Sequence, residues 1–181
     1  RTKETGQARI AAVVADTYME EVGHKKNIVV INAGDGIGEH PTQALVDLYT
    51  IRKDRVSIDG VSIVLANDLG RSRTIHSLAK ALAQFDGVTV IAAGPQGARL
   101  PEDVRARFRP PNALIECTCT EDVSLIDVVK QYDPEFLYMT RPQKERAGHP
   151  ISTLCVDEQF LKEAPENLKV MHPLPIDSKY F

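Results

Sequence analysis

Apolar runs of strand length alternate with helical periodicity along nearly the whole chain. The pattern predicts strands at Ile28–Ile31, Val61–Ala66, Val88–Ala92, Ala113–Cys117, Phe136–Met139 and Leu168–Met171. Between them it predicts helices over Pro41–Arg52, Ser72–Phe85, Glu102–Phe108, Asp122–Gln131 and Asp157–Glu163, with a further helix over Gly6–Met19 ahead of the first strand. Alternating β and α elements of this kind predict an α/β fold, a mainly parallel sheet with helices on both faces. The near-continuous Val, Ile and Leu of the strands agrees, because strands in such sheets are buried on both sides. A polar stretch, Asp54–Gly60, ends in Asp59-Gly60 and is the predicted domain boundary, dividing the chain into 1–53 and 54–181.

Candidate chemistry gathers after the strands, where open parallel sheets place their ligand crevice. The first loop runs from Gly34 to Gln43 and opens a helix at His40-Pro41. Unpaired first-turn N–H groups and the helix macrodipole make such a mouth an anion site, and Pro41 suits the first helical position. The glycine spacing Gly34-x-Gly36-x-Gly38 does not fit a dinucleotide fingerprint, and no acidic residue closes a second strand. The second loop, Asn67–Ser77, puts Arg73 and Thr74 at a helix start, where a cation opposes the dipole unless an incoming anion satisfies both. The solvated alternative for its arginines stands beside this, and His76 reads as a packed or capping residue. In the third loop, Arg141 and Gln143 alternate around Pro142 and can face one ligand. The fourth, His172-Pro173-Leu174-Pro175, holds backbone carbonyls in a rigid, acceptor-presenting segment. Together these loops carry groups that bind small polyanions and stabilise an oxyanion, with no nucleophile–base pair for covalent catalysis.

Composition narrows the classes. The chain has 181 residues, 43% hydrophobic and 26% charged, with a net charge of -3, which gives no footprint for nucleic acid or a membrane surface. Cys117, Cys119 and Cys155 form no framework and read as reduced thiols, the first two on one side of a strand; no metal-ligand spacing accompanies them. The chain opens at Arg1, without a methionine, and is expected to enter a longer protein in mid-structure.

The motifs now take on a pattern. Asn32-Ala33-Gly34-Asp35-Gly36 with His40-Pro41-Thr42-Gln43-Ala44-Leu45 and Asp47-Leu48-Tyr49-Thr50-Ile51 resembles the carbamoyl-phosphate-side motif of the aspartate/ornithine carbamoyltransferase family. Asp68-Leu69, Arg73-Thr74-Ile75-His76-Ser77-Leu78, Thr140-Arg141-Pro142-Gln143-Lys144-Glu145-Arg146 and His172-Pro173-Leu174-Pro175 resemble its later motifs, in order. His172-Pro173, where ornithine relatives carry His-Cys, points to the aspartate branch.

The resemblance implies a two-domain transcarbamoylase-like architecture with the first domain incomplete. It implies transfer of the carbamoyl group from carbamoyl phosphate to L-aspartate, in pyrimidine biosynthesis, without cofactor or metal. By motif, a neutral His40 would donate to the carbamoyl oxygen, and Gln43 would bind the carbamoyl amino group, helped by the carbonyls of Pro173 and Leu174. Arg73 and Thr74 would bind the α-carboxylate of aspartate, and Arg141 and Gln143 its side-chain carboxylate. The family also implies a cytoplasmic homotrimer with shared sites and leaves room for a regulatory chain or fused pathway enzymes. A different amine acceptor and a non-catalytic paralogue acting as a binding partner are the alternatives. The family's phosphate-binding Ser-Thr-Arg-Thr segment and its lysine-bearing loop are expected upstream of Arg1. Ile176 stands where the family has arginine, Asn67 where it has glycine, and Pro142 where it has a small apolar residue.

Overall fold

The computed structural model describes residues 6–23, 29–36, 38–141 and 154–176. In chain order the elements are α1 (Gln7–Glu21), α2 (Pro41–Asp54), β1 (Ser62–Ala66), α3 (Arg73–Leu82), β2 (Thr89–Pro95), α4 (Glu102–Arg105), β3 (Ala113–Cys119), α5 (Leu125–Tyr132), β4 (Phe136–Met139), α6 (Glu158–Glu163) and β5 (Lys169–Met171). The five strands form one parallel sheet in the order β3-β2-β1-β4-β5. Chain order reverses on either side of β1, so the switch point lies between β1 and β4.

Residue alternation explains why both faces are covered. One side of the sheet presents Ile63, Leu65, Val90, Ala92, Phe136 and Tyr138, packed with Ile51 of α2, Ile75, Leu78 and Leu82 of α3, and Val104 of α4. The other presents Val64, Ala66, Ile91, Ala93, Leu137 and Met139 against Leu125, Val128 and Val129 of α5 and Phe160 of α6. Cys117 and Cys119 both belong to this second side, as their alternation predicts. The register sets Val64 beside Ile91 and Leu137, so neighbouring strands expose matching rows to each helix layer. Each Val, Leu, Ile, Phe or Met among them, taken from water to full burial, contributes about 1.5–3 kcal/mol.

Helix α2 precedes the predicted boundary yet is fastened to the sheet. Arg55 pairs with Glu135, and Lys169 of β5 meets Asp54 at 2.9 Å. Helix α5 starts at a capping box, with Ser124 and Asp127 satisfying each other's backbone N–H groups, and α6 starts at Asp157, whose carboxylate accepts from Phe160 N–H. These caps shorten both predicted helices at their N-termini.

One predicted strand is not formed among the described residues. Residues 29–32 carry no strand, and Val29 and Ile31 are exposed; Ile28 lies outside the described residues. A strand needs a neighbour to complete its ladder of N–H and C=O groups, and no described strand flanks this segment. Helix α1 has no buried residue, and its Ile10, Val13, Val14 and Tyr18 are exposed.

Gly94, on β2, sits where only a hydrogen fits. A Cβ there would lie 2.8 Å from Ala98 Cβ, 3.0 Å from Leu69 Cδ1 and 3.1 Å from the Asn67 carbonyl oxygen. None of these belongs to a long, yielding side chain end except Leu69. Gly94→Ala is therefore expected to destabilise the fold by about 1–3 kcal/mol, read as a shift in the denaturant midpoint at unchanged m-value.

Candidate functional site

The described parts of the four loops adjoin one another, three of them through neighbouring strand ends. The carboxyl ends of β1, β4 and β5 lie side by side and carry the loops beginning at Asn67, Thr140 and His172. The first loop follows no strand among the described residues; side chains from α3 hold it instead. Arg73 donates from Nη1 to the Gly36 carbonyl at 2.8 Å, and His40 N–H donates to Ser77 Oγ at 2.8 Å. Gly36 turns there with φ 58°, a region a side chain rarely adopts.

His40 ends the first loop as the N-cap of α2. Its Nδ1 accepts from the Gln43 N–H at 3.3 Å, with Thr42 Oγ1 3.4 Å away. A ring nitrogen that accepts carries no proton, so the N–H of the neutral ring belongs on Nε2. Pro41 at the next position needs no capping partner.

Behind His40, Ser77 donates to Glu39, and Lys80 bridges Glu39 and Asp103 at 2.6 Å each. Burial pushes the Glu39 carboxyl up, but the hydrogen bonds and charge of Lys80 and the Ser77 hydroxyl outweigh it, leaving it below the ordinary 4.5. Glu39 thus stays ionised and keeps the loop tied to α3. His76 is half-buried with Nε2 2.7 Å from the Leu69 carbonyl, in the packing role its position predicts, and burial lowers its pKa.

Gln43 lies in the first turn of α2. It donates from Nε2 to Asp47 Oδ1 at 2.9 Å, while Tyr138 Oη donates to Asp47 Oδ2 at 2.8 Å. Asp47 is only 4% exposed and Tyr138 is fully buried. Burial raises the Asp47 pKa and its two donors oppose the rise; the Tyr138 hydroxyl is pushed far up by burial and by Asp47, with Thr74 acting the other way. Thr74 lies beside Ser72, their hydroxyls 3.1 Å apart. A buried polar chain thus runs from Gln43 through Asp47 and Tyr138 toward Thr74.

Asn67 joins the second loop to the third. Fully buried at φ 95°, it donates from Nδ2 to the carbonyls of Thr140 (2.8 Å) and Leu154 (3.2 Å) and accepts from Leu154 N–H at 3.3 Å. Asparagine is among the few side chains that tolerate positive φ, and here its amide ties the carboxyl ends of β1 and β4 together. Arg141 follows at the end of β4, half-buried. Its charge, after burial, lowers the pKa of His172, which places the third and fourth loops within electrostatic reach. His172 Nδ1 accepts from Leu174 N–H at 3.0 Å, holding Leu174 at φ 49° with a cis bond to Pro175. Gln143 lies outside the described residues.

The described site is cationic and hydrogen-bonding: a ring N–H, a glutamine amide, two guanidinium groups and the carbonyls of the His172–Pro175 turn. No group of three or more metal-ligating side chains exists among the described residues. A separate cavity of about 770 Å³ opens between α5 and α6, near Cys119 and Cys155. Its titratable lining is Glu121, Asp122, Asp157 and Glu163 with the two thiols, a surface unsuited to anions.

Comparison with known proteins decides the lineage. The model of the aspartate/ornithine carbamoyltransferase carbamoyl-P binding domain matches residues 4–53, and that of the Asp/Orn binding domain matches residues 59–180. The chain belongs to the aspartate/ornithine carbamoyltransferase family. An aspartate carbamoyltransferase catalytic subunit of Archaeoglobus fulgidus is 44% identical over 156 residues, covering 82% of this chain and 48% of its own length. That of Thermococcus gammatolerans is 40% identical over 176 residues, covering 94% and 51%. Among solved structures, the catalytic subunit of M. jannaschii aspartate transcarbamoylase superposes with a TM-score of 0.71 at 32% identity, covering 98% of this chain and 54% of that one. The Trypanosoma cruzi enzyme, in complex with carbamoyl aspartate and phosphate, gives 0.69 at 34%, covering 90% and 51%. The chain therefore spans about half the length of the carbamoyltransferase relatives it matches.

Three groups of this candidate site are given no role by the sequence alone. Asp47 had a signal, four residues after Gln43 and so on the same helical face. Tyr138 had none, hidden in an apolar strand. Asn67 was legible only as a departure from glycine.

Proposed function

We propose that the chain carries the acceptor side and part of the carbamoyl side of an aspartate carbamoyltransferase, with residues 1–53 a remnant of the carbamoyl-phosphate domain and 54–181 the aspartate domain. The observation that carries this reading is the neighbouring position of β1 and β4, whose carboxyl ends lead to Arg73 at the start of α3 and to Arg141, with Arg73 also holding the Gly36 carbonyl of the His40 loop. Two guanidinium forks on adjoining loops suit a dicarboxylate. An ornithine side chain would instead call for acidic groups.

In the proposed reaction the amine of L-aspartate arrives deprotonated and attacks the carbamoyl carbon of carbamoyl phosphate. A C–N bond forms while the carbonyl oxygen becomes an oxyanion, and His40 donates to it from Nε2. The C–O bond to phosphorus's oxygen then breaks. Phosphate leaves with that electron pair and takes the proton lost by the amine, giving N-carbamoyl-L-aspartate. Gln43 with the carbonyls of Pro173 and Leu174 holds the carbamoyl NH₂, Arg73 and Thr74 the α-carboxylate, and Arg141 with Gln143 the side-chain carboxylate. Holding both reactants in line supplies much of the rate.

The family's homotrimeric assembly and a cytoplasmic setting belong to the same proposal, as does pyrimidine biosynthesis. Among the described residues no helix is long and apolar enough to cross a membrane. The test is a steady-state assay of the natural full-length protein with carbamoyl phosphate and either L-aspartate or L-ornithine. Turnover with aspartate is expected; turnover with ornithine alone, or with neither, overturns the reading.

A further inference from the structure

Resting on the carbamoyl-transfer reading above, we infer that Asp47 is a positioning residue that sets which group the site will transfer: it turns the Gln43 amide so that its oxygen, not its NH₂, faces the donor substrate. The planar amide has a donor end and an acceptor end of almost equal size, and packing alone does not choose between them. Asp47 chooses. Its carboxylate is buried in the seam between α2 and β4, with Oδ1 2.9 Å from Gln43 Nε2 and Oδ2 2.8 Å from Tyr138 Oη. Tyrosine's hydroxyl hydrogen and the amide's NH₂ both point inward at an acceptor, so both carboxylate oxygens act as acceptors. Gln43 is half-buried, and the end left for its outer side is Oε1.

An acceptor at that point discriminates by chemistry. A carbamoyl group presents NH₂, which donates to Oε1. An acetyl group has the same shape and the same carbonyl but presents methyl, leaving Oε1 without a donor in a partly desolvated site, a larger loss than a missing contact. The site thereby selects carbamoyl phosphate over acetyl phosphate through a residue that touches neither.

The experiment measures kcat/KM of the full-length protein for carbamoyl phosphate and for acetyl phosphate, each with L-aspartate. Acetyl transfer balances in the same way: C–N forms, C–O breaks, and phosphate takes the electron pair and the amine proton, yielding N-acetyl-aspartate. In Asp47→Asn, Tyr138 Oη still donates to the amide oxygen of the new side chain. Its NH₂ then faces Gln43, and the Gln43 amide must flip. The ratio of the two kcat/KM values is expected to fall about tenfold or more. Tyr138→Phe keeps the Gln43–Asp47 contact and is expected to keep the parent ratio while lowering stability.

The ratio is taken on the folded molecules alone, so a smaller folded fraction does not move it. An unchanged ratio in Asp47→Asn overturns the inference, and so does an equal fall in Tyr138→Phe, which marks mere packing. Absence of carbamoyl transfer in the parent protein overturns the functional reading itself and takes this inference with it.

Discussion

Replacing His40 by asparagine is expected to lower kcat of the full-length protein by about two to three orders of magnitude, while leaving its thermal midpoint near that of the parent. Two roles meet in this residue. As N-cap of α2 it accepts from the Gln43 N–H through Nδ1, and that acceptance fixes the ring proton on Nε2, the atom assigned to the oxyanion. Asparagine is among the preferred N-caps and retains the first role. Its amide is too short to reach where Nε2 reaches, so it loses the second. Alanine removes both and adds a capping loss of about 0.5–2 kcal/mol, which confounds stability with chemistry. Saturating carbamoyl phosphate and L-aspartate, with thermal unfolding in parallel, separate them. Parental kcat in His40→Asn would remove His40 from the oxyanion and leave it a cap.

Arg141→Ala is expected to raise KM for L-aspartate by about 10- to 100-fold, with little change in KM for carbamoyl phosphate. Charge-assisted hydrogen bonds contribute about 1.5–3 kcal/mol each, and a fork-to-carboxylate pair makes two of them. Arg141→Lys keeps the charge without the fork and is expected to recover only part of the loss. Arg73→Ala should raise the same constant and do something more. Its Nη1 also holds the Gly36 carbonyl at 2.8 Å, so its removal loosens the loop that presents His40 and lowers kcat as well. Steady-state titrations in both substrates make the comparison. An unchanged aspartate KM in both alanine variants would detach the arginines from the acceptor.

Much of the architecture was legible because it rests on period and composition. Strands such as Phe136–Met139 are continuous apolar runs, and helices such as α3 carry Ile75, Leu78 and Leu82 at helical spacing. The parallel sheet follows from their alternation. The Ile28–Ile31 strand failed for a reason outside its own residues, since a ladder is a property of two strands. Within the candidate site, the sequence singles out positions that break a local rule: an arginine at a helix start, prolines around Leu174, glycines in the first loop. Asp47 and Tyr138 break no local rule. Their partnership spans 91 positions in sequence, and only folding brings acid and phenol together. Asn67 likewise makes sense only once Thr140 and Leu154 stand beside it.

The strand order has one more consequence. Strand β1 reaches β2 through a short crossover, but it meets β4 only after the chain has built β2 and β3 and come back, pairing Ile63 with Phe136. The two halves of the sheet, β1-β2-β3 and β4-β5, thus share a single internal border, and Arg73 and Arg141 stand on opposite sides of it. On the proposed function, a dicarboxylate held by both arginines would act as a rivet across that border. Its binding free energy would then add to the cohesion of the most sequence-distant pairing in the sheet, so occupancy and mechanical integrity would rise together.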